Sequence, residues 1–284
     1  MAAEVPRETE RAPESNGSIL HLQDVTIAFG GIRAVDQLSF DVRTGAILSL
    51  IGPNGAGKTT VLNGISGFVP ARGSIRFDGR ELIGRAAHRR AGIGIGRTFQ
   101  NLQLFGEMTL LDNVLVGQHA VMGGNILLDL LGFPVARREA VAREQAMAIL
   151  GRFGLERYAS RPARVLPFGI QKLAGVARAV AAEPSLLLLD EPAAGLNRAE
   201  SGRLGELIQR LRGDFGLTIL LVEHNMRLVM DISDHIVILD DGRKLAEGPP
   251  REVAGNPAVI EAYLGSARDD TAVEEVRDGL VDRA

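Results

Sequence analysis

The run Gly52-Pro53-Asn54-Gly55-Ala56-Gly57-Lys58-Thr59-Thr60 constrains this chain more than any other stretch. The apolar residues Ile47, Leu48, Leu50 and Ile51 precede it, and Thr60 to Ile65 carries helix periodicity after it. Gly-x4-Gly-Lys-Thr between a strand and a helix is the pattern of a phosphate-binding loop. Glycines let backbone N–H groups turn inward without Cβ clashes. The helix start near Gly57 adds its positive dipole end. On this reading Asn54, Gly55, Ala56, Gly57, Lys58, Thr59 and Thr60 cradle a nucleotide. Lys58 reaches its β- and γ-phosphates, and the Thr59 hydroxyl ligates Mg²⁺. The loop implies nucleotide binding and leaves the use of the nucleotide open.

The rest of the chain supplies an α/β frame for such a loop. Residues 18–29 alternate apolar and polar, as a half-buried strand does. Ser39–Val42 and Ala46–Ile51 read as further strands, the second apolar enough to be central in a sheet covered on both faces. Ser74–Phe77 before Asp78-Gly79, and Ile236–Leu239 before Asp241-Gly242, read as hairpins. From Thr109 to about Phe153 the spacing becomes helical. Gln171–Ala182 and Ala199–Arg212 read as helices, and Pro257–Leu264 as a short closing helix. Leu186–Leu189 and Leu217–Val222 read as buried strands. The expected class is α/β, a mixed sheet carrying the loop with an antiparallel sheet beside it.

Leu186-Leu187-Leu188-Leu189-Asp190-Glu191-Pro192 ends a buried strand in two acids. Strand-terminal carboxylates lie at the sheet's carboxyl edge, where ligands bind in open α/β sheets. Asp190 is the expected holder of Mg²⁺ through its water shell, and Glu191 the general base that polarises the attacking water.

Composition excludes several functions. The 284 residues carry 32 basic and 35 acidic groups, a net charge of −3 that gives no field favouring nucleic acid. With no cysteine, a disulfide framework and a thiolate zinc site are both excluded. No window approaches the roughly 18 uninterrupted apolar residues of a spanning helix, so membrane association would need a partner. Residues 1–17 read as a disordered polar arm and residues 266–284 as a charged mobile tail.

Further features identify a family. Phe29 lies on a strand upstream of the loop, and Gln100 follows Gly96-Arg97-Thr98-Phe99. Leu166-Pro167-Phe168-Gly169-Ile170-Gln171 precedes a helix with Ala177-Arg178-Ala179, Ala194-Gly195-Leu196-Asn197 follows the carboxylate strand, and His224 follows the strand ending at Val222. This order resembles the ABC (ATP-binding cassette) ATPases from about residue 18 to 265. The resemblance implies the ABC-ATPase fold, with an antiparallel β subdomain and a helical insertion at about 105–182. It implies ATP and Mg²⁺ as cofactors. Phe29 would stack on adenine beside Val35, Gln100 would sense Mg²⁺ and water, and His224 would contact the γ-phosphate. Phe168, Gly169, Ile170 and Gln171 resemble the signature that touches ATP held by a second cassette, with Asn197 closing the D-loop. The implied assembly is a head-to-tail dimer with two ATP molecules.

Pro167 and Ile170 stand where the signature usually has Ser and Gln, and Asn197 where the D-loop usually has Asp. Pro167 has neither hydroxyl nor N–H to offer a phosphate. Phe29-Gly30-Gly31-Ile32-Arg33-Ala34-Val35-Asp36, Arg97–Asn101, Glu191–Asn197, the apolar segment near Ile126–Phe133 and Asn256–Gly265 together resemble branched-chain amino-acid importer ATPases of the G type. That group implies two integral-membrane permease subunits, a second ABC ATPase (paralogue or a copy of this chain) and, indirectly, an extracytoplasmic solute-binding protein. It implies a peripheral place on the cytoplasmic face of the inner membrane. Importers of urea, amides or aromatic acids share these features, and a soluble ABC ATPase or nucleotide switch stays open at this point.

Overall fold

The computed structural model describes residues 17–98, 104–119 and 135–259. Gln100, the apolar segment near 126–133, residues 1–16, the end of the closing helix and the charged tail lie outside the described residues.

Two sheets organise the described chain. The first joins β1 (Ser18–Phe29), β2 (Ile32–Arg43), β4 (Arg72–Phe77) and β5 (Arg80–Glu81) in the antiparallel order β2-β1-β4-β5. The second joins β3 (Ile47–Ile51), β6 (Ile95–Arg97), β7 (Leu186–Asp190), β8 (Thr218–Val222), β9 (His235–Asp240) and β10 (Arg243–Gly248) in the order β10-β9-β3-β8-β7-β6. Its strands run parallel except for β10, which returns antiparallel on β9. Strand β2 begins seven residues before the expected Ser39, because Gly30-Gly31 closes a hairpin that pairs Phe29 with Ile32.

Period-2 geometry explains the uninterrupted apolar strands. Leu187 and Leu189 of β7, and Ile219 and Leu221 of β8, point into a helical core; Leu186, Leu188, Leu220 and Val222 point into the core under the antiparallel sheet. Every residue of β3, β7 and β8 is buried. Each fully buried Leu or Ile contributes on the order of 1.5–3 kcal/mol. Helix α1 (Lys58–Ser66) lies between the two sheets, packing Val61, Leu62 and Ile65 into the second core.

The helical side is built from α3 (Leu110–His119), α4 (Val135–Arg152), α5 (Phe168–Val180), α6 (Arg198–Phe215) and α7 (Met226–Ile232); short α2 (Ala87–Ala91) and α8 (Pro250–Ala254) lie elsewhere. A Cβ on Gly117 would stand 2.1 Å from the Arg178 carbonyl oxygen, so α3 crosses α5 at backbone contact. Helix α5 starts at Phe168, three residues before the expected Gln171. Pro167 enters extended (φ −54°, ψ 147°), and its carbonyl accepts from Gln171 N at 3.0 Å. Helix α6 opens with a capping box, in which Asn197 Oδ1 accepts from Glu200 N at 3.0 Å and Glu200 Oε2 accepts from Asn197 N at 3.0 Å.

Candidate functional site

The strand order places the chemistry. Strands β3, β8 and β7 are consecutive in the sheet and parallel, so their carboxyl ends meet along one edge. Strand β3 delivers the glycine loop, β8 delivers Glu223 and His224, β7 delivers Asp190 and Glu191, and neighbouring β6 delivers Arg97 and Thr98.

The loop conformation depends on its glycines. Gly52 has φ 150°, and a Cβ there would lie 2.0 Å from the Leu239 carbonyl oxygen. Gly57 has φ 96°, and its Cβ would lie 2.3 Å from the Ala34 oxygen. The loop thus rests directly on the backbones of β9 and β2. Lys58 is 6% exposed and donates to Gly52 O at 2.7 Å and Pro53 O at 2.8 Å. Its ammonium therefore lies inside the curve of the loop. Burial lowers its pKa, and the charges of Glu191 and Asp190 oppose that shift. Asn54 and Gly55 are exposed at the tip, Thr59 and Thr60 half-buried at the helix start, and Ala56 is buried beneath.

Asp190 is 2% exposed. Its Oδ1 accepts from Thr59 Oγ1 at 3.2 Å and its Oδ2 from Arg97 at 3.0 Å. Burial pushes the Asp190 carboxyl up, and the Arg97 guanidinium and the Thr59 hydroxyl pull it back. Arg97 also donates to Ser66 Oγ at 3.1 Å, tying β6 to the end of α1. Thr59 and Asp190 bring two hard oxygen donors together beside Lys58, which fits Mg²⁺. That ion takes one or two protein oxygens and completes its shell with phosphate oxygens and water. Among the described residues, no group of three or more His, Cys, Asp or Glu side chains is placed to hold a metal ion.

Glu191 is half-buried and sits at φ 46°, a left-handed conformation that costs a non-glycine residue on the order of 1–3 kcal/mol. Its N–H donates to Val222 O at 2.9 Å, and its carbonyl accepts from Lys172 Nζ at 3.1 Å and from Ala194 N at 3.2 Å. Burial lowers the Lys172 pKa against the opposing charges of Glu223, Glu191 and Asp190. His224 is exposed, next to fully buried Glu223.

The segment expected to face a second cassette splits in two. Phe168 is 51% exposed and lies over Gly195, where a Cβ would come within 3.1 Å of its ring. Lys172 Nζ stands 5.5 Å from the same ring. Gly169 faces Leu196 at ordinary contact distance. Ile170 instead packs against the helical core, and the Gln171 amide donates to Leu166 O at 2.8 Å. Phe29 is exposed at the tip of the β1–β2 hairpin, whereas Val35 is fully buried behind the loop. The sequence reading passed over Arg97, Lys172 and Glu223. An acid directly after an all-apolar strand marks Glu223, as it marks Asp190; Arg97 and Lys172 carry no comparable signal.

Comparison with known proteins bears on the family and the fold. Residues 35–194 match the ABC transporter family model, and residues 243–269 match that of the branched-chain amino acid ATP-binding cassette transporter. The chain is 46% identical over 251 residues to the high-affinity branched-chain amino acid transport ATP-binding protein BraF of Pseudomonas aeruginosa, covering 88% of this chain and 98% of that protein. It is 43% identical, with the same coverage, to the protein LivG of Escherichia coli, whose description is the same. A crystal structure of an ATP-binding cassette of an ABC transporter in its ADP conformation superposes with a TM-score of 0.77 at 32% identity, covering 87% of this chain and 99% of that one. A dimeric cassette in a post-hydrolysis state, bound to ADP and Pi, superposes with a TM-score of 0.69 at 25% identity, covering 81% of this chain and 98% of that one.

Proposed function

The chain belongs to the ABC transporter ATP-binding family, and from that premise we propose that it is the ATP-hydrolysing, energy-coupling subunit of an importer of branched-chain amino acids. The observation that carries the reading is the consecutive order β3-β8-β7, which aligns the loop, His224 and the Asp190-Glu191 pair along one edge.

In the proposed mechanism the loop N–H groups and Lys58 hold the triphosphate, Phe29 stacks on adenine, and Val35 supports the loop from behind. Thr59 and Asp190, with Gln100, would hold Mg²⁺, which when bound would offset charge on the phosphate oxygens. Glu191 takes a proton from water as its oxygen attacks the γ-phosphorus, the bond to the β–γ bridging oxygen breaks, and ADP and Pi leave. His224 contacts the γ-phosphate. Phe168 and Gly169, at the start of α5 and followed by Ile170 and Gln171, complete the ATP site of a second cassette, beside Asn197. Pro167 supplies neither hydroxyl nor N–H, so this contact rests on Gly169 and the helix start. ATP binding closes the dimer, and hydrolysis reopens it.

None of the described helices is long and apolar enough to cross a membrane. By analogy with the transport ATP-binding proteins it resembles, the chain would sit peripherally on the cytoplasmic face against two permease subunits, with a paralogous or identical second ATPase. A solute-binding protein would act on the far side of the permease.

Glu191→Gln should lower phosphate release to about 1% of wild type or less while retaining bound ATP, because general-base catalysis contributes roughly 10²–10⁴-fold. Unchanged turnover would overturn the role of Glu191. Affinity capture of the tagged chain from solubilised membranes should recover integral membrane proteins, and their absence would overturn the transport role.

A further inference from the structure

Glu223 is the most deeply buried ionisable group at this edge (0% exposed), and the mechanism above gives it no task. Its Oε1 accepts from Ala193 N at 2.7 Å, two residues past Glu191. Its Oε2 accepts from His224 N at 3.2 Å and Asn225 N at 3.4 Å. One carboxylate therefore joins the backbone after β7 to the backbone after β8, across 30 residues of sequence. Asn225 carries the tie onward. It caps α7 by accepting from Leu228 N at 3.0 Å and donates to Ser201 Oγ of α6 at 3.1 Å.

The chemistry of the site selects a carboxylate. Three N–H donors converge on the two oxygens, and an ionised carboxylate is an acceptor only. A glutamine could serve one side but would turn its own NH₂ toward donors on the other. Burial pushes the Glu223 carboxyl up, and the three N–H groups and His224 hold it down. The Glu223 charge opposes the lowering of the Lys172 pKa by burial, and the Lys172 ammonium donates to the Glu191 carbonyl at 3.1 Å. The stretch 191–193 is thus held at both ends, by Lys172 at Glu191 and by Glu223 at Ala193.

We propose that Glu223 is a positioning residue for ATP hydrolysis: it fixes the backbone of His224 relative to the Glu191 loop, so that the γ-phosphate contact and the base act in register. This rests on the hydrolytic reading of the site given above. Glu223 reaches neither the loop glycines nor Thr59, so it should govern turnover and leave nucleotide affinity alone.

The test is steady-state and single-turnover ATP hydrolysis, with Mg²⁺, by the full-length chain in complex with its second cassette and membrane partners, as captured from solubilised membranes. Glu223→Gln should lower kcat about tenfold, as expected for losing part of a charge-assisted hydrogen-bond set, with KM for ATP within about twofold of wild type. In a His224→Ala background the same change should alter single-turnover rate less than about twofold, because the positioned group is already gone. Should Glu223→Gln fail to fold, as judged by its melting transition, Glu223→Asp carries the same readouts, with a smaller loss of kcat from its shorter reach. A kcat equal to wild type, a loss confined to KM, or losses that multiply fully with His224→Ala would each overturn the positioning role. An inactive wild-type complex would overturn the hydrolytic reading, and the positioning role would fall with it; an active wild-type complex with an unaffected Glu223 variant would overturn the positioning role alone.

Discussion

Replacing Arg97 by methionine would separate the electrostatics of the Asp190 site from its packing. Arg97 and Asp190 are 6% and 2% exposed and 3.0 Å apart, so water cannot substitute for either partner. Methionine fills much of the guanidinium's space but leaves Asp190 with the Thr59 hydroxyl as its remaining side-chain donor. Breaking a buried pair by removing one partner costs about 3–5 kcal/mol. In a chain of this size that lowers the melting temperature by roughly 10 °C. The pH dependence follows from the Asp190 carboxyl. Burial already holds it above the ordinary range, and Arg97 is the main influence pulling it back. Without Arg97 it rises further, so the folded variant keeps a proton over a pH interval where the unfolded chain has lost it. Where the folded state binds more protons, stability falls as pH rises. The gap between variant and wild type should therefore be small near pH 5 and widen toward pH 8. Scanning calorimetry of both proteins at the two pH values measures it. A second change, Asp190→Asn, should restore most of the stability lost in the Arg97→Met variant. Equal melting at pH 8, or a gap that is larger at pH 5, would refute the argument.

Two glycines give further tests. Gly52→Ala places a Cβ 2.0 Å from the Leu239 oxygen, so the loop must shift; affinity for a fluorescent ATP analogue should fall at least about tenfold, and an unchanged affinity would contradict the observed loop path. Gly117→Ala improves helix propensity by about 1 kcal/mol, yet its Cβ would lie 2.1 Å from Arg178 O. The net result should be a loss of about 1–3 kcal/mol in urea unfolding, and a stabilised variant would refute the close α3–α5 crossing.

Local signals revealed much of this molecule because local chemistry demands particular residues. A backbone that wraps phosphates needs glycine, lysine and threonine in fixed order. A doubly covered strand needs apolar residues on both faces, which made β3, β7 and β8 readable. Boundaries were less legible where a tertiary partner sets them. Strand β2 extends to Ile32 because β1 pairs with it, and α5 starts at Phe168 because Pro167 ends an extended approach.

The sequence by itself marked the groups proposed to do the chemistry: Lys58, Thr59, Asp190, Glu191 and His224 each follow an apolar strand in a recognisable pattern. Only the tertiary structure decided what holds them in place. Arg97 meets Asp190 across 93 residues, and Glu223 meets Ala193 across 30. Such pairs have no spacing rule, because the order of strands in the sheet sets them and the low dielectric of the buried edge makes them matter. The glycine loop therefore announces that a nucleotide binds, and the order β3-β8-β7 brings Glu191 and His224 to one edge beside it.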